Sequence, residues 1–247
     1  MLLKGTMTTP KNPLALEART KNFNHLLSVK RLAAAHVAII GVGAVGRQAA
    51  IQLASMGIGK LTLVDFDEVE THNMGAQGWR QDQVGKAKVI ALGEDLASIN
   101  QDGDYRFYNE KFDPKHIAEI RIVLSCVDSM EVRKEIYEAC VAKGFLDLDL
   151  FAEARMAAET GMVHYVTDKV SADYWLTQWY PTSDGLKDGC TTKSTIYCAA
   201  MAALLLVQGV SKVLRDHKLP MKVPYTLESF DMACDWPPEP AQAQQSQ

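Results

Sequence analysis

Apolar positions along this chain change their period in a regular order. Residues 36–40, His-Val-Ala-Ile-Ile, form a short β-branched run. Val45, Ala49, Leu53 and Met56 then recur three or four apart, the spacing of one helix face. A second apolar run, residues 61–64, ends in Asp65. Residues 104–109 alternate, with Tyr105 and Phe107 on one side, and residues 120–126, 145–150 and 162–166 predict three further strands. Helical patterns separate them over residues 86–99, 113–119 and 130–143, and a long one runs from about residue 195 to 217. Pro114 after Asp113 marks a helix start, and Gly144 a helix stop. Strands alternating with helices predict an α/β fold with a doubly wound, Rossmann-like, mainly parallel sheet.

The ends of the chain carry less pattern. Residues 1–13 are polar, with two prolines, and are expected to be a flexible tail without a secretory signal. Residues 14–35 predict one helix, with Leu16, Phe23, Leu26, Leu27 and Leu32 as its apolar side. Residues 14–235 are expected to form one domain, and residues 236–247 a disordered tail rich in Pro and Gln.

The strongest chemical signal is the turn after the first strand, Gly41-Val-Gly43-Ala-Val-Gly46. Gly41 allows a sharp exit from the strand, Gly43 lets backbone approach a phosphate, and Gly46 lets the helix lie close on the sheet. The helix then begins with free N–H groups and a partial positive charge. Asp65 lies 19 positions beyond Gly46, at the end of the next strand, where a carboxylate accepts from ribose hydroxyls. This combination predicts nucleotide binding. Taken alone, the unit also fits an NAD-dependent oxidoreductase.

Composition sets the class. The chain has 247 residues, 47% of them apolar, and a net charge of −4. A full core is available, and the mild acidity gives no reason to expect nucleic acid. A cytoplasmic location is expected. The apolar run over residues 196–207 is shorter than the ~20 residues that a bilayer requires, so a buried core or dimer helix is expected and no membrane. Five cysteines, at 126, 140, 190, 198 and 234, form no CxxC pair, so neither a disulfide framework nor a zinc tetrathiolate is expected.

Residues beyond the turn narrow the chemistry. Asp65 and Asp67 lead to Asn73, Gln77, and then Val84-Gly85-Lys86-Ala87-Lys88. The run at residues 120–126 delivers Asp128 to the carboxyl edge of the sheet, before a helix that carries Arg133. In this series the chain resembles the ThiF-type adenylyltransferases of the ubiquitin-activating enzyme superfamily. The resemblance spans roughly residues 36–133, and more loosely extends to the last long helix. It implies an enzyme that uses ATP and Mg²⁺ to adenylylate the C-terminal glycine of a ubiquitin-like or sulfur-carrier protein, usually as a homodimer. On this resemblance Asn73 and Lys88 face the phosphates, and Asp128 holds Mg²⁺. Lys86 reads as a solvated helix charge, and Asp128 as an N-cap besides. Cys190, on the loop before the last helix, matches the place of the thioester cysteine; the alternative is a buried, inert thiol.

The chain departs from the family pattern in two places. The arginine-rich N-terminal motif that reaches the partner's site is missing; Arg19 and Lys21 are the nearest candidates, and Arg19 reads rather as an ordinary surface charge. Ala76 stands where relatives place a phosphate-pairing arginine. Three readings are open: Arg80 substitutes, Arg155 substitutes, or adenylylation is slow or lost, leaving a nucleotide-binding scaffold. For Arg155 the alternative is an ion pair with Glu153 or Glu159.

Overall fold

The computed structural model describes residues 6–7, 13–22, 25–184 and 195–238. Strands β2 (His36–Ile40), β3 (Lys60–Val64), β4 (Asp104–Tyr108), β5 (Ile122–Ser125) and β6 (Leu150–Ala157) run parallel, in the order β4-β3-β2-β5-β6. β7 (Thr160–Val166), β8 (Lys222–Thr226) and β9 (Asp231–Met232) extend the sheet antiparallel beyond β6. On the other edge β1 (Thr6–Met7), read from sequence as part of a flexible tail, pairs antiparallel with β4. The strand order reverses between β2 and β5, which opens a crevice at their carboxyl ends.

Period-two alternation sends each strand's side chains to two cores. On one face Val37, Ile39, Leu61, Leu63, Ile122 and Leu124 pack under α3 (Ala44–Met56), α5 (Lys88–Ile99) and α8 (Ile196–Val213). On the other, Ala38, Ile40, Val123 and Phe151 meet α6 (Met130–Val141) and α7 (Lys169–Thr177). Here Tyr137 stacks on Trp175, ring centroids 4.1 Å apart, and Phe151 meets Trp175 edge-on at 5.8 Å. Of the aromatic residues at 174, 175, 179 and 180, Trp175 belongs to this core, Tyr174 and Trp179 are half-buried, and Tyr180 is exposed. By length and composition α8 is long and apolar enough to cross a bilayer. Its Cys198, Ala199, Ala202, Ala203 and Leu206 are nevertheless fully buried, so the fold uses it as a core helix.

Two local predictions are corrected. The single N-terminal helix is two, α1 (Pro13–Thr20) and α2 (Val29–Ala34), with Ser28 extended before the second. Arg19 donates to the carbonyl of Ile99 at the end of its own chain's α5 (2.8 Å). The strand predicted over residues 145–150 begins where it was expected to end. Asp147 and Asp149 instead lie in a turn, paired with Arg121 at 3.3 and 2.6 Å. The real strand, β6, carries Glu153 and Arg155 inside the protein.

Glu153 is completely buried and is the hub of the β6 core. It accepts from Arg133 Nη1 (2.8 Å), Arg155 Nε (2.8 Å) and Trp175 Nε1 (2.9 Å), and His164 Nδ1 lies 3.2 Å away. Burial alone would raise this carboxyl. The guanidiniums of Arg133 and Arg155, with His164, hold it far below the usual carboxylate range. His164 is pushed down by burial, against the neighbouring Glu153. Glu153→Gln keeps the shape and leaves two buried guanidiniums without a counter-ion. A loss of about 3–5 kcal/mol is expected in urea unfolding; an unchanged midpoint would show that the hub does not carry the fold.

Candidate nucleotide-binding site

The glycine turn sits where β2 and β5 part. Gly41 has φ +85°, and a Cβ there would lie 2.8 Å from the carbonyl oxygen of Cys126. Its N–H donates to Val64 O (2.8 Å), and Cys126 N–H donates to Ile40 O (2.8 Å), so three strand ends are tied together. At Gly46 a Cβ would fall 1.9 Å from Gly41 O, which no other residue tolerates. Gly43 differs: nothing lies within 4 Å of its would-be Cβ. It is the N-cap of α3, and no side chain caps that helix. The opening beside Gly43 and the uncapped first turn form a cradle with the geometry for a phosphate.

Two acids and a lysine are linked to the turn in series. Asp65 is bonded from both sides: its carboxylate accepts from Val42 N–H (2.7 Å) and Asp67 N–H (2.8 Å). It therefore locks the turn to the end of β3 and retains further lone pairs for a ribose. Burial pushes its carboxyl up, against these two bonds and Lys88. Lys88 opens α5, and its buried Nζ donates to Asp67 Oδ2 (2.8 Å). Asp67 is half exposed. Lys86 pairs with Glu94 on the surface (2.7 Å).

The loop after β3 supplies scaffolding. Asn73 is buried at the start of α4 (Asn73–Gln77), and its Oδ1 accepts from Glu70 N–H (2.9 Å). Gln77 Oε1 accepts from Trp79 Nε1 (2.8 Å). Ala76, half-buried, lies between them in α4. Arg80 does not fill the gap: it is held by Asp82 (2.9 Å) and by Asp95. Arg47, which the motif pattern does not single out, is the buried partner of Asp95 (3.0 Å) and lies over the Trp79 ring at 4.9 Å. Its signal was available: an arginine inside an otherwise apolar helix needs a buried acid.

Asp128 lies past β5 across the crevice. It is exposed, and among the described residues its carboxylate makes no hydrogen bond or ion pair. The expected N-cap role belongs to Ser129, whose Oγ accepts from Val132 N–H (3.3 Å). Arg133 turns inward to Glu153. Arg155 is corrected as a phosphate clamp, because its guanidinium is committed to Glu153 and to the carbonyl of Gln178 (2.7 Å). Cys190 lies outside the described residues. Cys126 is packed at the end of β5, and burial pushes its thiol up to about 12. Among the described residues no cluster of three His, Cys, Asp or Glu forms a metal cage. One carboxylate with waters and substrate phosphates is the usual ligand set for Mg²⁺, and Asp128 fits that chemistry.

A parallel sheet with a glycine cradle, an anchored acid and a buried lysine at its switch point defines a Rossmann-like nucleotide-binding domain. The chain belongs to the ThiF family, whose model matches residues 16–245. It is 37% identical over 124 residues to ubiquitin-like modifier-activating enzyme 5 of Dictyostelium discoideum, covering 44% of this chain and 32% of that protein. Against the Drosophila melanogaster protein of the same name it is 37% identical over 145 residues, covering 52% of this chain and 36% of that one. The chain thus matches about a third of the length of these relatives. Among solved structures, E. coli MccB with AMPCPP and MccA superposes with a TM-score of 0.72 at 18% identity, covering 91% of this chain and 72% of that one. PaaA superposes with a TM-score of 0.71 at 20% identity, covering 92% and 74%. These structures share the fold.

The two inner glycines separate stability from binding. Gly46→Ala forces a Cβ onto Gly41 O, and a loss of roughly 2 kcal/mol or more is expected on denaturation. Gly43→Ala meets no atom, and its unfolding midpoint should match the wild type. Equal destabilisation by the two would contradict the cradle geometry.

Proposed function

We propose that this protein uses ATP and Mg²⁺ to adenylylate the C-terminal glycine of a ubiquitin-like or sulfur-carrier protein. One observation carries the reading: in a ThiF chain, the turn left open at Gly43 follows β2, and the two strands that flank β2 lead to the paired Asp67 and Lys88 and to the exposed Asp128. The names of the enzyme 5 relatives, and of MccB solved with ATP, support it.

The chain's own groups serve an in-line displacement. The cradle and the α3 N-terminus hold the phosphates, and Asp65 orients the ribose. The substrate carboxylate attacks the α-phosphorus, and the bond to the β,γ-pyrophosphate breaks. Lys88 stabilises the charge that moves onto the leaving pyrophosphate. Asp128 would hold Mg²⁺, and the ion, when bound, would supply charge neutralisation to the phosphates. The adenylate then has two routes: the thiolate of Cys190 attacks the acyl carbon, so that a thioester forms and AMP leaves, or the acyl group goes directly to another sulfur carrier with loss of AMP. We further propose a homodimer, consistent with the exposed Tyr197 and Leu204 on α8 beside Phe230.

A second reading has its own support. Ala76 offers no charge, and both substitute arginines are committed elsewhere, Arg80 to Asp82 and Asp95, Arg155 to Glu153. On this reading the protein is a nucleotide-binding scaffold without chemistry. Exchange of labelled pyrophosphate into ATP, with glycine-terminated ubiquitin-like proteins present, separates the two. Adenylylation predicts exchange in the wild type and a drop of about 100-fold in Lys88→Ala. ATP binding without exchange supports the scaffold.

A further inference from the structure

The wall beyond Asp128 is built by a segment that carries no motif. After α7 the chain passes through Gln178, Trp179, Tyr180 and Thr182 across the first turn of α6. Met130, the first residue of α6, has both backbone polar groups bonded to this segment. Its N–H donates to Thr182 Oγ1 (3.0 Å), and its carbonyl accepts from Trp179 Nε1 (3.0 Å). The Thr182 hydroxyl donates onward to Glu131 Oε2 (2.5 Å), and Thr182 N–H donates to Glu131 Oε1 (2.8 Å). Ser129 Oγ donates to the same carboxylate (2.9 Å) while it caps the helix.

The far end of the segment is equally fixed. Arg155, anchored on buried Glu153, donates to Gln178 O and lies over the Tyr180 ring at 5.4 Å. Lys134 lies over Trp179 at 4.7 Å. A continuous chain of contacts therefore runs from the buried hub through Thr182 to Ser129, next to Asp128. The first N–H of a helix has no partner within the helix; here Thr182 takes it, two residues from the Asp128 carboxylate.

From this arrangement we infer that Thr182 is a positioning residue for Asp128, holding the turn between β5 and α6 so that the carboxylate is aimed at a divalent cation. Groups that orient a metal ligand are worth about 10–100-fold in metal affinity. The inference rests on the reading of Asp128 as the metal-holding residue, and the test separates the two. The probe is Mn²⁺, an oxygen-ligand substitute for Mg²⁺.

Calorimetry gives the ATP affinity without metal and the factor by which Mn²⁺ tightens it; the EPR spectrum of bound Mn²⁺ reports ligand geometry. Thr182 is exposed, so Thr182→Val removes the hydroxyl without opening the core. The variant should bind metal-free ATP as the wild type does, lose about tenfold of the Mn²⁺ gain, and show an altered spectrum. Thr182→Ser should restore both within about twofold of the wild type. An unchanged Mn²⁺ gain in Thr182→Val, beside a loss in Asp128→Ala, would overturn the positioning role alone. Equal weakening of metal-free ATP would reduce Thr182 to a structural part and overturn it too. If Asp128→Ala keeps the full Mn²⁺ gain, the reading of Asp128 fails and the inference falls with it.

Discussion

The close approach of the turn after β2 to the end of β5 is the constraint on which the site depends. Gly41 rests against Cys126, and α3 rests against Gly41 through Gly46. Neither contact admits a side chain. With the helix drawn onto the sheet, its first turn opens at Gly43, and Asp65 holds the turn through Val42 N–H. The binding geometry therefore arises from packing that forbids carbon atoms at two positions and leaves room at a third. Backbone donors placed this way need no reorganisation when an anion arrives.

Buried charge does the rest of the orienting. Lys88 meets Asp67, Arg47 meets Asp95, and Arg133 and Arg155 share Glu153. Each cation is aimed by a carboxylate, which satisfies the desolvation demand that a lone buried charge could not meet. Of these pairs, that of Lys88 has a half-exposed carboxylate, Asp67. The same pairing that makes the arginines safe to bury removes them from the phosphate, so the alanine at residue 76 has no substitute among them.

The glycine turn and both flanking strands were legible because a strand that turns sharply into a close-packed helix needs glycine at fixed positions. Helices α3, α5, α6 and α8 were legible from apolar period. Pattern reading failed where polar residues go inside. Glu153 and Arg155 read as polar, so β6 was placed one segment early, over Asp147 and Asp149, which face Arg121 in a turn. β8 went unpredicted because Pro224 interrupts a run whose Val223 and Tyr225 alternate; a proline is tolerated there beside the two-residue β9 near the sheet edge. Ser129 as the cap, and Thr182 and Trp179 against Met130, depend on contacts some 50 residues apart in sequence, which no local pattern encodes.

The central claim is that the crevice is built for ATP rather than for a dinucleotide. Calorimetric titration of the full chain with ATP and with NAD, each with and without Mg²⁺, tests it most directly. A site of this kind should show ATP binding that Mg²⁺ strengthens, and NAD binding that is weaker and indifferent to Mg²⁺. Preference for NAD, or ATP binding untouched by Mg²⁺, would contradict it.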